Sequence, residues 1–204
     1  MAVSNAFWDQ RYSAEGFHFG TEPNGFLKAQ AGLFRPGQKV LMVADGEGRN
    51  GVFVASLGAR VHSIDGSAVA VDKARAFAKS RGVALEAEFA DLAEWAWPEA
   101  AYDVVVAIFI QFADPAFRHR IFEGMKRATR PGGLVVIEGY RPEQIGYGTG
   151  GPPQVENLYT LGLLEVAFSG YEVLHAREHD SVIQEGRGHG GMSALVDFVA
   201  RKPA

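Results

Sequence analysis

The stretch VLMVADGEGRNGVFVA, residues 40–55, contains the pattern that decides the fold. Its first residues are apolar, which predicts a buried strand. Glycines then recur as G-x-G-x-x-G at Gly46, Gly48 and Gly51, and the apolar positions that follow have helical spacing until Gly58. The stretch therefore predicts a strand, a glycine loop and a helix. Such a loop and helix start can present free backbone N–H groups to a ligand.

The same alternation of strands and helices continues after the loop. Strands are predicted at 39–45, 59–65, 84–91, 101–112 and 134–140. Helices are predicted at 49–58 and 67–82, and a further one begins at residue 115 and is ended by Pro131 and the glycines after it. A parallel crossover needs a helix to return the chain. The alternation therefore predicts an α/β fold with a single Rossmann-like, doubly wound and mostly parallel sheet. Ligands bind such sheets beyond the carboxyl ends of the strands.

The last third of the chain departs from this alternation. Residues 141–153 are rich in Gly and Pro and too long for a plain connection, which indicates a lid. A helix capped by Thr160 follows. Two strands, at 171–186 and 192–202, are joined by a glycine-rich turn, and they predict an antiparallel hairpin that closes one edge of the sheet.

Composition restricts the classes of function. The chain has 204 residues, 47% of them apolar, and a net charge of -4 without a block of Lys or Arg, so nucleic acid is not an expected partner. It has no cysteine, and its six histidines are scattered along the chain, so no metal site is expected. No run is long enough to span a bilayer and the first residues do not resemble a signal peptide, so we expect a cytoplasmic protein without a membrane partner.

The glycine loop alone leaves two cofactors open. With Asp65 after the second strand, the G-x-G-x-x-G pattern is also typical of a nicotinamide dinucleotide site. A dinucleotide enzyme usually needs a second mononucleotide half and a substrate domain, for which about 200 residues is tight. The length and the closing hairpin favour a fold with one adenosine site. A nicotinamide oxidoreductase and a cofactor-binding module without catalysis remain the alternatives.

Several short motifs, taken together, resemble one family. They are FWDQRY at 7–12, FGTEPNGFL at 19–27, ADGEGRN at 44–50, VHSIDGS at 61–67, FADL at 89–92, IFIQF at 108–112 and RPGGLVVIEGY at 130–140. In this order and spacing the chain resembles class I S-adenosylmethionine-dependent methyltransferases, and within them the tellurite-resistance and thiopurine-methyltransferase-like branch. The resemblance implies S-adenosyl-L-methionine as cofactor and a small-molecule methyl acceptor as partner, in a monomer or homodimer.

The resemblance covers nearly the whole chain and implies a domain organisation. It predicts a single methyltransferase domain over 1–204, with an N-terminal cover at 1–30, a cofactor-binding core at 39–140, and the lid loop, helix and closing hairpin at 141–204. The first loop departs from the family pattern, which has an acidic residue in the strand and a glycine two residues later. This chain has Met42 and Ala44 there, and Asp45 could replace part of the missing polarity.

The cofactor site is predicted partly from the chemistry of the residues and partly from the family resemblance. The carboxylate of Asp65 can accept hydrogen bonds from both ribose hydroxyls. The resemblance implies that Asp91 and the Leu92 backbone meet the adenine, and that Arg11 meets the methionine carboxylate. Solvated positions for Asp91 and Arg11 are the structural alternatives. The predicted cofactor-binding residues are Trp8, Arg11, Phe19, Ala44, Asp45, Gly46, Glu47, Gly48, Asn50, Asp65, Gly66, Ser67, Asp91, Leu92, Ala107, Ile108, Phe109 and Gln111.

The acceptor side is predicted from residues placed over the pocket. Methyl transfer from a sulfonium needs an acceptor held in line with the S–CH3 bond, and a general base only where a proton must leave. The predicted catalytic residues are His189, His18, Tyr147, Tyr140 and Arg141. His189 is the first candidate because flanking glycines leave it little packing role, and Arg141 suggests an anionic group on the acceptor. We further expect the N-terminal cover to close against the loop around Tyr147.

Overall fold

The structure is a computed structural model that describes residues 5–204. Its strands are β1 (Lys39–Val43), β2 (Arg60–Asp65), β3 (Leu85–Phe89), β4 (Tyr102–Ile108), β5 (Thr129–Tyr140), β6 (Glu172–Glu185) and β7 (His189–Arg201). Its α-helices are α1 (Asn5–Tyr12), α2 (Gly25–Ala29), α3 (Arg49–Ser56), α4 (Ala68–Ser80), α5 (Pro115–Ala128), α6 (Gln144–Tyr147) and α7 (Leu161–Ala167). Within this described part, no helix is both long and apolar enough to cross a membrane.

The strands form one sheet in the order β3-β2-β1-β4-β5-β7-β6. The strands β1 to β5 run parallel, whereas β7 pairs antiparallel with both β5 and β6. This topology confirms the predicted Rossmann-like sheet and its closing antiparallel hairpin. The strand order reverses between β1 and β4, and this is where sheets of this kind bind their ligands.

The core lies on both faces of the sheet because the central strands carry runs of consecutive apolar residues. In β4, Val105 packs into a cluster with residues of α5 and α7, while Val104 and Val106 pack into a cluster with residues of α2 and α3. All three valines are fully buried. Such a strand does not alternate in polarity, which is typical of a parallel sheet covered by helices on both sides.

The helix starts predicted at Ser67 and Thr160 are confirmed by their caps, whereas several element boundaries differ from the prediction. Ser67 accepts a hydrogen bond from the Ala70 backbone N–H, and Thr160 accepts one from Leu163. The helix that Pro131 was expected to end already ends at Ala128, and β5, expected from residue 134, begins at Thr129. The segment 189–191, expected in the hairpin turn, is the paired start of β7, because its backbone continues the ladder with β6.

Candidate functional site

A cavity of about 400 Å³ lies beyond the carboxyl ends of β1, β2, β3 and β4. Residues of the glycine loop and of the segments after these strands form its floor, and side chains of α1 and of the segment after it form its roof. The volume falls within the range of about 300–1,000 Å³ that is usual for small-molecule sites. The position matches the crevice that the sheet topology predicts.

Asp65 at the end of β2 organises the glycine loop. Its Oδ2 accepts the Gly46 backbone N–H at 2.8 Å, and its Oδ1 accepts the Ser67 backbone N–H at 2.8 Å. Burial raises the pKa of Asp65 to about 6 against the lowering effect of these two bonds. The side chain also lines the cavity, so one carboxylate joins the end of β2, the loop and the start of α4.

A side chain would be unfavourable at each of the three loop glycines, but for a different structural reason at each. Gly46 lines the cavity, and a Cβ there would lie 2.8 Å from the Tyr12 hydroxyl of the roof. Gly48 has a φ of 85° and does not line the cavity; its Cβ would lie 2.7 Å from the Cβ of Ala74 in α4. A Cβ on Gly51 would clash with the carboxylate of Asp45. Of the three, only Gly46 therefore brings its backbone to the cavity, and the other two allow close packing beneath the loop.

Ala44 and Asp45 explain the altered first loop. Ala44 has a φ of 50°, in the left-handed region that glycine adopts without steric cost. It stands where the family pattern has glycine. Asp45 is buried beneath the loop, where it accepts the Ser63 hydroxyl at 2.9 Å and the Gly51 backbone N–H at 3.2 Å. Burial raises the pKa of Asp45 to about 7. Both residues line the cavity.

The segment after β3 forms one end of the cavity wall. Asp91 and Leu92 both line it, as predicted for residues that would meet an adenine. The Asp91 side chain accepts the Ala93 backbone N–H at 2.9 Å, which shapes the turn. Asp65 and Asp91 thus place two carboxylates at this end of the cavity, which we call the carboxylate end.

Another part of the cavity wall is aromatic, and we call it the aromatic end. Phe109 follows β4 with a φ of 55° and lines the cavity together with Phe112 and Phe117, which the sequence analysis did not select. Trp8 and Phe19 line it from the roof. A positive φ is costly for a phenylalanine, and strained residues of this kind cluster at functional sites.

Six predicted cofactor residues lie off the cavity wall. Arg11 stacks on the rings of Phe7 and Trp8 at 5.0 and 5.5 Å. Gln111 is buried, and its amide binds the backbone N–H and C=O of Tyr140 at 2.6 and 2.8 Å. Glu47 accepts a backbone hydrogen bond from the segment after α1, and Ser67 caps α4. Gly48 packs against α4, and Ala107 is fully buried in the core. The remaining predicted positions that line the cavity include Asn50, Gly66 and Ile108.

Among the predicted catalytic residues, His189 lines the cavity. Its ring centroid lies 4.6 Å from that of Phe19 and 4.5 Å from that of Phe109, so it contacts both the roof and the aromatic end. Its Nδ1 lies 3.5 Å from Oε2 of Glu185. Burial lowers the pKa of His189, although the neighbouring Glu185 carboxylate acts in the opposite direction.

Two other candidates lie close behind this wall. Tyr140 is fully buried against Phe109 and His189, with ring centroids 4.6 and 5.7 Å away, and burial raises its pKa. His18 packs beside Phe19 with ring centroids 4.6 Å apart, and burial lowers its pKa to about 4. Neither residue lines the cavity.

Arg141 and Tyr147 are placed away from the cavity, which corrects the predicted acceptor side. Both bind Asp180 of β6, Arg141 through Nη2 at 2.5 Å and Tyr147 through its hydroxyl at 2.9 Å. The segment after α1 instead meets the β6–β7 turn, where the Arg187 backbone N–H donates to the His18 carbonyl at 2.8 Å. The expected closure of the cover against the Tyr147 loop is therefore replaced by closure against this turn.

A buried ion pair beside the cavity was missed by the sequence analysis. Arg49 donates through Nη2 to Oε2 of Glu185 at 2.6 Å, and both side chains are less than a tenth exposed. The pair joins the start of α3 to the end of β6, which lie 136 residues apart. The position of Arg49 within the glycine pattern, between Gly48 and Gly51, is the one signal in the sequence that could have suggested it.

Comparison with known families connects the cavity to methyltransferases. Residues 40–133 match a family model described as a methyltransferase domain. This match includes the glycine loop, both aspartates of the carboxylate end and Phe109. Protein-L-isoaspartate O-methyltransferase of Methylorubrum populi is 31% identical over 144 residues, which cover 65% of this chain. The chain spans 64% of the length of that relative.

Solved structures share the fold at low identity. A protein solved in work on the conversion of a disulfide bond into a thioacetal group during echinomycin biosynthesis has a TM-score of 0.77 and 21% identity, over 98% of this chain and 91% of that one. TehB from Haemophilus influenzae has a TM-score of 0.71 and 18% identity, over 97% of this chain and 66% of that one. The N-methyltransferase NodS from Bradyrhizobium japonicum was solved with S-adenosyl-L-homocysteine. It has a TM-score of 0.72 and 13% identity, over 98% of both chains.

Proposed function

We propose that this protein is an S-adenosylmethionine-dependent methyltransferase that transfers the methyl group in line to a small-molecule acceptor. The observation that carries the proposal is the cavity at the switch point of the sheet, whose wall combines carboxylates with aromatic rings. The match of residues 40–133 to a methyltransferase domain supports the same reading.

The chemistry of the cavity wall fits the cofactor. Asp65 would accept hydrogen bonds from the ribose hydroxyls, and Asp91 would accept one from the adenine amino group. At the aromatic end, Phe109 and Trp8 offer ring faces, which attract cations such as a sulfonium. When bound, the cofactor supplies an electrophilic methyl group. The protein's task is then to hold the acceptor in line and to exclude water.

The roof supports a small acceptor. Trp8, Tyr12 and Phe19 line the cavity from above, so they leave a chamber of limited volume. The Methylorubrum populi relative is named for a protein substrate, whereas the sequence motifs resemble a branch named for tellurite and thiopurines. We favour the small acceptor because these aromatic side chains, together with the β6–β7 turn, enclose the aromatic end of the cavity.

Calorimetry and a transfer assay test the proposal. S-adenosylmethionine and S-adenosylhomocysteine should bind the purified chain and NAD should not. Labelled methyl groups should then appear on at least one member of a panel of thiols, amines, phenols and chalcogen oxyanions. Comparable binding of NAD with none of S-adenosylhomocysteine would reverse the assignment to an oxidoreductase. Tight cofactor binding without transfer to any small molecule or protein would favour a non-catalytic module.

A further inference from the structure

We propose that His189, oriented by Glu185, is the general base of this site, and that the site accepts an uncharged molecule whose O–H, N–H or S–H proton leaves during transfer. This inference rests on the proposed function and specifies its acceptor. It assigns a positioning role to Glu185 and Arg49, which no motif in the sequence predicted.

Strand pairing places the histidine and the carboxylate together. Glu185 at the end of β6 and His189 at the start of β7 are direct antiparallel partners across the hairpin. Side chains of directly opposed residues project from the same face of a sheet and are close enough to interact. Here that face is the cavity side, because His189 lines the cavity next to Phe19 and Phe109.

Glu185 is held in place by donors from other elements. Its Oε2 accepts from Arg49, and its Oε1 accepts from the Asn24 side chain at 3.0 Å and the Gly25 backbone N–H at 3.3 Å. Burial by itself raises the pKa of Glu185, but the contacts with His189 and Arg49 outweigh burial and bring it to about 2. A fixed, ionised carboxylate thus faces the imidazole.

The contacts of His189 favour the neutral tautomer of its imidazole with the proton on Nδ1. Within the described residues, Nδ1 of His189 has no hydrogen-bond partner, and the Glu185 carboxylate lies 3.5 Å from it. Hydrogen bonds of catalytic groups are often long without substrate and tighten when it binds. The charged or titratable groups that face His189 are Glu185, Arg49, Arg11, His18 and Tyr140. With Nδ1–H directed at Glu185, the Nε2 lone pair is left to accept a proton.

The charges of the wall indicate an uncharged acceptor. Within the described part of the chain, Arg49 is the only lysine or arginine that lines the cavity, and Glu185 neutralises it. Arg141, which suggested an anionic acceptor, instead binds Asp180. The acidic residues of the wall would repel an oxyanion, so a neutral acceptor fits the site better than a tellurite-like anion.

The proposed step conserves atoms and electrons. The acceptor's bond to hydrogen breaks, and the proton moves to Nε2 of His189. The acceptor's lone pair forms the new bond to the methyl carbon, and the electron pair of the S–CH3 bond remains on sulfur as the neutral thioether. The proton on the imidazolium is later released to water. Glu185 stabilises the imidazolium by its negative charge and keeps the ring oriented.

The first test reads the histidine itself and needs no acceptor. Side-chain nitrogen NMR at pH 7.5, with His189→Gln used to assign the signal, should show a neutral ring with the proton on Nδ1 in the free protein and with S-adenosylhomocysteine bound. Glu185→Gln should shift the tautomer equilibrium towards Nε2–H. A charged ring at pH 7.5, or an Nε2–H tautomer in the unmodified protein, would overturn the assignment.

The second test separates a base from a packing residue. Two phenols of similar size are compared, one already ionised at the assay pH through a nitro group and one protonated. His189→Gln should lower kcat about 10²–10⁴-fold for the protonated phenol. For the ionised phenol the loss should be only a few-fold, because no proton has to leave. His119→Gln, at an exposed position of α5, is the matched control.

The outcomes distinguish this inference from the proposed function. Equal losses for both phenols would make His189 a structural residue and leave the methyltransferase assignment in place. Faster transfer to tellurite than to any neutral acceptor would overturn the acceptor class. Failure of the proposed function would show differently, as absent S-adenosylhomocysteine binding by the unmodified protein or as absent transfer from it to every acceptor, ionised or protonated. Retained S-adenosylhomocysteine binding by His189→Gln establishes that the variant is folded.

Discussion

The backbone N–H of His18 donates to Oε2 of Glu47 at 2.6 Å, which ties the roof of the cavity to the glycine loop. The other carboxylate oxygen binds Nζ of Lys73 in α4 at 2.9 Å. The same ammonium also donates to the carbonyls of Ala14 and Gly16 at 2.9 and 2.6 Å. Glu47 and Lys73 therefore hold the segment 14–18 closed, although neither lines the cavity.

Glu47→Gln should loosen the roof. The amide lacks the negative charge that attracts Lys73, so we expect proteolysis within residues 5–20 to become about 3- to 10-fold faster, equivalent to about 0.7–1.4 kcal/mol of closure. Limited proteolysis followed by mass spectrometry measures this, and S-adenosylhomocysteine should slow the cleavage. Glu165→Gln, exposed on α7, should behave like the unmodified chain. Unchanged cleavage in Glu47→Gln would show that this contact does not hold the roof.

Ala44→Gly should stabilise the protein. A left-handed φ of 50° costs alanine more than glycine, so the free energy of unfolding should rise by about 1 kcal/mol and Tm by about 2–4 °C. Urea and thermal unfolding measure the change. Ala76→Gly, in the exposed middle of α4, should have the opposite effect and cost about 1 kcal/mol. Destabilisation by Ala44→Gly would contradict the strain assigned to this loop.

Asp65→Ala should weaken cofactor binding by about 2–4 kcal/mol, because it would remove the two charge-assisted hydrogen bonds that we propose Asp65 accepts from the ribose. It also removes the acceptors of the Gly46 and Ser67 backbone N–H groups, so stability should fall as well. Calorimetry with S-adenosylhomocysteine measures the affinity. Asp103→Ala provides the control, since Asp103 binds the Lys39 backbone at the other end of the sheet. Unchanged affinity in Asp65→Ala would reduce its role to loop geometry.

Asp45 should make stability depend on pH. Burial raises its folded-state pKa from 3.8 to about 7, so between these values the folded state holds a proton that the unfolded chain has lost. This contribution is therefore complete below pH 3.8 and declines as pH rises to about 7. Asp45→Asn removes it, and its stability relative to the unmodified protein should improve by about 2 kcal/mol between pH 5 and pH 7.

Urea unfolding at pH 5, 6 and 7 measures this difference. Asp72→Asn serves as the control because the Asp72 side chain is 78% exposed, and its relative stability should be the same at all three pH values. Parallel pH profiles for Asp45→Asn and the unmodified protein would mean that Asp45 titrates normally in the folded state.

Local sequence patterns were sufficient to predict the fold. The apolar runs of β1 and β4, the helical spacing after the glycine loop and the caps Ser67 and Thr160 report backbone conformation and burial over a few residues each. These patterns predicted the strands, their alternation with helices and the closing hairpin. They misplaced the boundary between α5 and β5, because Thr129 pairs with Tyr102 of β4 and the strand therefore begins before Pro131.

The site residues that could be predicted from the sequence are those that directly follow the carboxyl end of a parallel strand. The carboxyl ends of parallel strands meet at one edge, so Asp65, Asp91 and Phe109 could be selected from the sequence, and each lines the cavity. Gln111 and Ala107 come from the same strand region, but their side chains point into the core. A shift of one residue along a strand changes the face, and the ends of strands are where the sequence defines the face least.

The sequence by itself thus determined the sheet, its strand types and the edge at which a ligand binds, because these follow from periodicity and from the handed geometry of parallel crossovers. Only the tertiary structure decided that Glu185 faces His189, that Arg49 neutralises Glu185, and that the roof closes on the β6–β7 turn instead of on Tyr147. Such contacts join residues far apart in the chain, and no local pattern encodes the packing of elements that brings them together.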